Sequence, residues 1–451
     1  METTGRADNY ILGIEIKAEE AVISYYDKKL NKPVIYDLSG GYGQSGVPLV
    51  LQYIIEEDKW LIGEDALSNK EQEDAVLIRG FYKGLLEEKK YLINNREYLS
   101  QELLVIFIEK ILLSVNNTNP KAKVTSLTVV FPDKHFVEIS AKLKLYFEGI
   151  SCQEVVCIPM TNAIAAYLIY EENYKEEAFK LFNYDYNECS IYNFIKNEGK
   201  YKVSCEQVQI EASLYKLKTE VEETFCSIYL KNKEIKVLSE IETEHIKAMM
   251  SYHFPCFFQK LSQQQNMKIY YNFVYPPFME ILTYEDAYKI VESYILEIKS
   301  LLDKEKIKDL PLILIGTGNK MKWVKDTVAQ KREYKDMSQL EPVSKGACLI
   351  GINEAKDIIE NLVESKNEEA VKYGIIVINS TEEFLPLMHG DNIFIVNLKK
   401  NNYKIEIVNE TRSEMIKSFS FNSFQEILQR VNITMKDKEG KLDFEIELLK
   451  L

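Results

Sequence analysis

LILIGTGNKMKW, residues 312–323, is the stretch on which the reading of the fold turns. Four consecutive apolar residues predict a short buried strand, Gly316 and Gly318 follow at once, and residues 321–330 carry a helical pattern. Glycine has no side chain to keep a neighbour away, and the first turn of a helix offers unpaired N–H groups that favour negative charge. A strand that ends in glycines and turns into a helix is therefore suited to close approach by a ligand. The same residues also describe an ordinary strand-to-helix turn, and the choice between the two rests on the rest of the chain.

The chain has 451 residues, enough for two or three domains. Apolar residues make up 46% and charged residues 28%, a globular balance, and the net charge of −14 with no basic stripe opposes nucleic-acid binding. The N-terminal METTGRADNYILGI lacks a basic segment followed by an apolar one, and no apolar run approaches the ~20 residues of a membrane span. The longest, from Leu103 to Val115, is interrupted by Glu109 and Lys110. Seven cysteines without a C-x-x-C pair fit a reducing compartment, and a cytoplasmic location is expected. Of four histidines, His135, His245, His253 and His389, the nearest two are eight residues apart, which gives little support to a His-based metal site.

Taken in order, residues 11–30 predict two strands, and 33–38 and 47–55 two more, after which KWLIGEDAL is expected to open a helix. Between them SGGYGQSG holds Gly41, Gly43 and Gly46 in the form G-x-G-x-x-G. A dinucleotide fingerprint needs a helix next, whereas Pro48 and a β-branched run follow, so a plain strand connection is expected. A helix over 99–116, a strand SLTVVFP (126–132), a helix over 135–147, a strand QEVVCIP and a helix TNAIAAYLIYEE come next. Residues 179–197 predict a hairpin turning near Asn187 and Glu188, residues 206–224 a charged helix, and residues 284–303 a long helix leading into the opening strand. A small-residue helix is expected over 346–362. Past residue 369 short β-rich runs separated by polar turns predict a separate small β domain, with the boundary in ESKNEEAVK.

This order resembles the actin-like ATPase superfamily, which includes the heat-shock chaperones, actins and sugar kinases. ILGIEIKAEEAVISYY resembles the first phosphate loop, I-G-I-D-x-G-T-T and its hairpin, and NYDYNECSIY stands in the place of the second, D-x-G-G-G-T. SLTVVFP, a helix and IPMTNAIAAY are similar to the chaperone run V-x-V-P, helix, E-P-T-A-A-A-x-A-Y. LILIGTGNKMKW resembles the adenosine loop V-x-V-G-G-S-x-R-x-P, and PVSKGACLIGI the closing A-x-G-A-A. The likeness runs over residues 11–355, and the β-rich tail is similar to a chaperone substrate-binding β domain. It implies an α/β fold built as a duplicated ribonuclease-H-like unit: a first lobe over 1–180, a second over 181–365 with an inserted subdomain at about 226–282, and a β-rich domain over 370–451.

The resemblance also implies ATP or ADP with Mg²⁺ in a cleft. Gly13, Lys17 and Asn187 would face the phosphates, Gly316, Thr317, Gly318, Asn319 and Lys218 the adenosine, and Glu15 and Asp185 would hold Mg²⁺ through water and act as the catalytic acids. Arg79 would reach toward a phosphate. Yet Lys17 and Ala18 replace Gly and Thr, Glu15 replaces Asp, and Asn187, Glu188 and Cys189 replace glycines, with Tyr192 at the second acid position. Solvated charges at a strand end account at least as well for Glu15 and Lys17, and a surface lysine with no ligand is the commoner explanation for Lys218. The expectation is a divergent, chaperone-like protein with weak or no ATP hydrolysis, acting through conformation and a protein or peptide partner at the β domain. The alternatives are an active ATPase or phosphotransferase that uses Glu15, Asp185 and Lys17, and an actin-like scaffold.

Overall fold

The computed structural model describes the chain apart from residues 1–8, 39–44, 69–74, 119–122, 198–199, 210–212, 304–309, 353–372, 379–383, 387–389, 399–402, 410–414, 422–426, 439–440 and 451. The chain divides into two compact units, Met1–Ser365 and Lys366–Leu451. The first is mixed α/β and the second is β-rich.

In the first unit, β1 (Asn9–Ile16), β2 (Glu20–Asp27), β3 (Lys32–Ile35), β4 (Lys123–Phe131) and β5 (Glu154–Pro159) lie in the order β5-β4-β1-β2-β3. Strands β5, β4 and β1 are parallel, while β2 and β3 are antiparallel to their neighbours. A second sheet, from β6 (Ala178–Tyr184), β7 (Cys189–Asn197), β8 (Lys200–Gln209), β9 (Leu312–Ile315) and β10 (Tyr334–Asp336), has the order β8-β7-β6-β9-β10. Its directions are the same, with β6, β9 and β10 parallel and β7 and β8 antiparallel. The central strands are buried on both faces, which is why β9 reads as an uninterrupted apolar run rather than an alternating one.

Helices α1 (Ser100–Thr118), α2 (Asp133–Phe147), α3 (Met160–Tyr170), α4 (Leu214–Lys233), α5 (Glu240–Ser262), α6 (Tyr284–Asp303), α7 (Lys322–Ala329) and α8 (Pro342–Ile350) flank the sheets. Although α8 follows the second sheet in the chain, it packs on α3 and on β1, β2 and β4 of the first. Its approach is set by small residues. A Cβ on Gly13 of β1 would lie 2.2 Å from the Ser344 carbonyl oxygen, and one on Gly346 would lie 1.8 Å from that of Ala163. Ser24 and Ser344 hydroxyls meet at 2.8 Å, and the Cys348 thiol donates to the Ile11 carbonyl.

Several expectations are corrected. KWLI is a strand, Lys59–Ile62, paired with Leu51–Ile54, and the helix begins only at Gly63. Trp60 packs its ring, tilted by 48°, against its cross-strand partner Tyr53, a pairing that favours the strand. Residues 206–209 belong to β8, and the charged helix runs instead over Leu214–Lys233. The alternation of buried Tyr201 and Val203 with exposed Lys202 and Ser204 has the period of a strand. Gly46 opens a short strand, Gly46–Pro48, while Gly41 and Gly43 lie outside the described residues, as do residues 353–362 of the expected small-residue helix and all of ESKNEEAVK.

The second unit contains two antiparallel sheets. One has the order Phe384–Pro386, Tyr373–Ile378, Tyr403–Asn409, Met415–Phe421, and the other Gly390–Leu398, Ile427–Lys438, Lys441–Lys450. Among the described residues no helix is long and apolar enough to cross a membrane.

The Gly346 contact makes a direct prediction. Gly346→Ala drives a methyl group into the α3 backbone and is expected to cost about 1–3 kcal/mol in thermal or urea unfolding. Gly149→Ala, where the nearest atom is at 3.4 Å, is the control and should stay within about 0.5 kcal/mol.

Candidate functional site

Each sheet's first strand ends in a tight turn, 17–20 after β1 and 185–188 after β6. The Lys17 N–H donates to the Glu20 carbonyl at 2.9 Å, and the Asp185 N–H to the Glu188 carbonyl at 2.9 Å. The two turns are bonded to each other. The Lys17 ammonium donates to Asp185 Oδ2 at 3.1 Å, Thr317 Oγ1 at 3.0 Å and Glu20 Oε1 at 3.3 Å. The Ala18 N–H donates to Asn187 Oδ1 at 3.2 Å. Glu19 receives the ammonium of Lys218 from α4, and Glu20 accepts the Thr317 hydroxyl at 2.7 Å. All four residues of the first turn thus hold an atom of the second half of the unit.

Lys17 is 3% exposed. A buried ammonium is tolerated only when its donors are used, and it has three, here taken by Asp185, Glu20 and Thr317. Glu15 stands off at 3.8 Å and is the carboxylate left over. Burial, and secondarily the neighbouring Asp185, Glu341 and Glu20, pushes its pKa up to about 8 against the pull of Lys17. Burial also raises Asp185 above its ordinary range, and Lys17 is held well above its own value by Asp185, Glu15 and Glu20 despite the burial that opposes it. Burial thus favours the protonated form of Glu15 beside a charged Lys17.

The glycines of the 312–323 stretch are filled by the protein itself. Gly316, at φ +91°, lies under the carbonyl of Tyr184, with a would-be Cβ at 2.5 Å, and a Cβ on Gly318 would meet the Tyr184 ring at 2.3 Å. Asn319, fully buried, donates its amide to the carbonyls of Phe182 and Ile315 at 3.2 and 2.5 Å, so it pins β6 to β9. The Thr317 N–H points at Asp185 Oδ2, 3.4 Å away. Gly13 meets α8 rather than the turns.

Glu188, where the resemblance leads one to expect glycine, is buried and accepts from Tyr192, Ser190 and Asn183 at 2.5, 2.7 and 3.4 Å. Beside the ammonium, Glu15, Lys17, Asn183, Asp185, Asn187 and Glu188 line a cavity of about 10 Å³, room for about one water molecule. Small-molecule sites are usually several hundred Å³. With this volume, the carboxylates taken up by Lys17 and a further carboxylate at Glu188, these residues do not fit a Mg²⁺–nucleotide in the closed arrangement. Among the described residues no group of three or more His, Cys, Asp or Glu is arranged to hold a metal ion.

Lys218 is corrected from a surface lysine to a buried one, 6% exposed, paired with Glu19 and 3.7 Å from Glu222. Burial raises the pKa of Glu222, opposed by Lys218 and more weakly by Arg79. Sequence reasoning missed Glu20, Tyr184, Lys320, Glu341 and Ser45. The last three form an adjoining network, in which Glu341 accepts from Ser45 at 2.6 Å and from Lys320. The consecutive Glu19 and Glu20 beside Lys17 were the available signal. Asp133, held by Thr161 at 2.5 and 3.1 Å, is raised by burial to about 7.

Residues 33–245 match the profile of a family described as "Family of unknown function (DUF5716) C-terminal". That span includes Asp185, Asn187, Glu188 and Lys218, while Glu15, Lys17 and Thr317 lie outside it. The chain matches no curated protein.

The raised Glu15 pKa fixes the sign of a pH effect. The folded chain retains this proton up to about 8, while the unfolded chain loses it near 4.5. This contribution to stability is complete below pH 4.5 and disappears as pH rises through 8; Asp133 acts with the same sign up to about 7. Glu15→Gln, neutral at every pH, should match the natural chain near pH 5. Above pH 8 it should be more stable by on the order of 1–3 kcal/mol, read from urea unfolding across pH 5–9.

Proposed function

We propose that the chain is a divergent, chaperone-like member of the actin-like ATPase superfamily that hydrolyses ATP weakly or not at all and acts through conformation and partner contacts. Support for a duplicated ribonuclease-H-like fold comes from the two largest sheets of the first unit, which repeat one strand order and one set of directions, with a turn after each first strand at the meeting point. The observation that carries the reading is the Lys17 ammonium. It occupies the place between Glu15 and Asp185 where phosphoryl-transfer chemistry needs a metal ion and an orientable water. With that place taken and Glu188 adding a carboxylate, neither acid has a substrate or metal to act on. ATP or ADP with Mg²⁺ enters this proposal only as a ligand of an opened form.

The β-rich second unit offers a partner site of the simplest kind, since edge strands can accept an extended peptide through main-chain hydrogen bonds. A cytoplasmic setting agrees with the unpaired cysteines among the described residues.

The test is phosphate release from ATP with Mg²⁺, together with calorimetric titration of ATP and ADP with and without the metal. Turnover at or below about 0.01 per second is expected, against a usual enzymatic range of about 1–1000 per second. Turnover within that range, lost on Asp185→Asn, would overturn the proposal in favour of an active ATPase.

A further inference from the structure

The residues from Lys17 to Glu20 differ from an ordinary strand-to-strand turn in one respect. Every one of them bonds to the second half of the unit, in addition to the bond that the Glu19 carbonyl accepts from the Leu49 N–H. Lys17 reaches Asp185 and Thr317, Ala18 reaches Asn187, Glu19 reaches Lys218, and Glu20 reaches Thr317. The partners come from three separate elements: the turn after β6, helix α4 and the residues after β9. Asp185 and Lys218 are buried, Asn187 and Thr317 half-buried, and four of the five bonds involve a charged group, which makes them about twice as strong as neutral ones.

The geometry points to an autoinhibitory strap: the turn Lys17–Ala18–Glu19–Glu20 holds the two halves of the first unit closed with no ligand between them. This rests on the proposed function in that the cleft so closed is the nucleotide cleft of that reading. Two features fit a strap better than a packing contact. Its centre is a single ammonium between Glu20 on one side and Asp185 on the other, so removing that positive charge leaves these two acids facing one another across the junction. The turn's apolar content is one alanine, Ala18, partly buried against the apolar cores, and its other contacts across the junction are polar bonds.

Hydrogen exchange on the full chain, read by mass spectrometry, tests this. The N–H groups of Ala18 and Thr317 donate across the junction to Asn187 and Asp185, and neither acceptor is altered by substituting Lys17 or Glu19. In Lys17→Met, and more so in Lys17→Met with Glu19→Ala, peptides containing Ala18 and Thr317 are expected to exchange at least tenfold faster, while peptides of β4, α3 and α8 keep their protection. Unchanged exchange at Ala18 and Thr317 in both variants overturns the strap. So does loss of protection throughout both variants, because a strap can be cut without losing the fold. On the natural chain, ATP with Mg²⁺ should leave these peptides unchanged; tenfold slower exchange on adding it would mean that closure needs a ligand, and would also overturn the inference. ATP hydrolysis by the natural chain is a separate readout, and it sinks the proposed function without touching the exchange result.

Discussion

One ammonium group decides how the first unit is held. An amine without its proton partners satisfied is among the costliest groups to bury, and removing one partner of such a pair costs on the order of 3–5 kcal/mol. Lys17 is accommodated because three oxygens from three segments, Glu20 beside it, Asp185 after β6 and Thr317 after β9, take its three hydrogens. The constraint propagates outward. Thr317 must sit where both Lys17 and Glu20 reach it, which fixes the start of the segment after β9. Asp185 must face β1, which fixes the turn that Glu188 then stabilises by accepting from Tyr192, Ser190 and Asn183. Glu15 is left in surplus, and protonation is how a low-dielectric site disposes of a surplus acid.

Side chains rather than glycines form the turns after β1 and β6. Glycine-rich turns leave their N–H groups open to an anion, whereas these turns use theirs internally: Ala18 on Asn187, Asp185 on Glu188, Thr317 on Asp185. Gly316 and Gly318 survive, but Tyr184 occupies the room they create. The close approach that a strand ending in glycines invites therefore does occur, and the visitor is a neighbouring strand.

Much of the architecture was legible in the sequence because burial leaves a period behind. The uninterrupted LILI, the paired strands before residue 30 and the run of β segments after residue 369 all carry it. What failed was local preference against pairing. KWLI is short enough to begin a helix, and only its partner strand makes it β; the charged CEQVQ of β8 has weak alternation, and β7 supplies its order. The site was legible in composition and opaque in wiring. Glu15, Lys17, Asp185, Asn187 and Thr317 stand out as polar residues at strand ends, and the structure gathers them. That Lys218 is buried depends on Glu19, about two hundred residues away, and no local pattern reports such a distance.

Helix α8 gives the fold a dependence on time. It covers β1 and β2 and is wedged against α3 by Gly346, yet it is made more than three hundred residues after β1. At about 5–20 residues per second the first sheet emerges from the ribosome on the order of ten seconds to a minute before its cover does. The first half of the unit thus cannot finish folding ahead of the second, and a chain that stops short of residue 342 leaves an apolar sheet face open to other proteins.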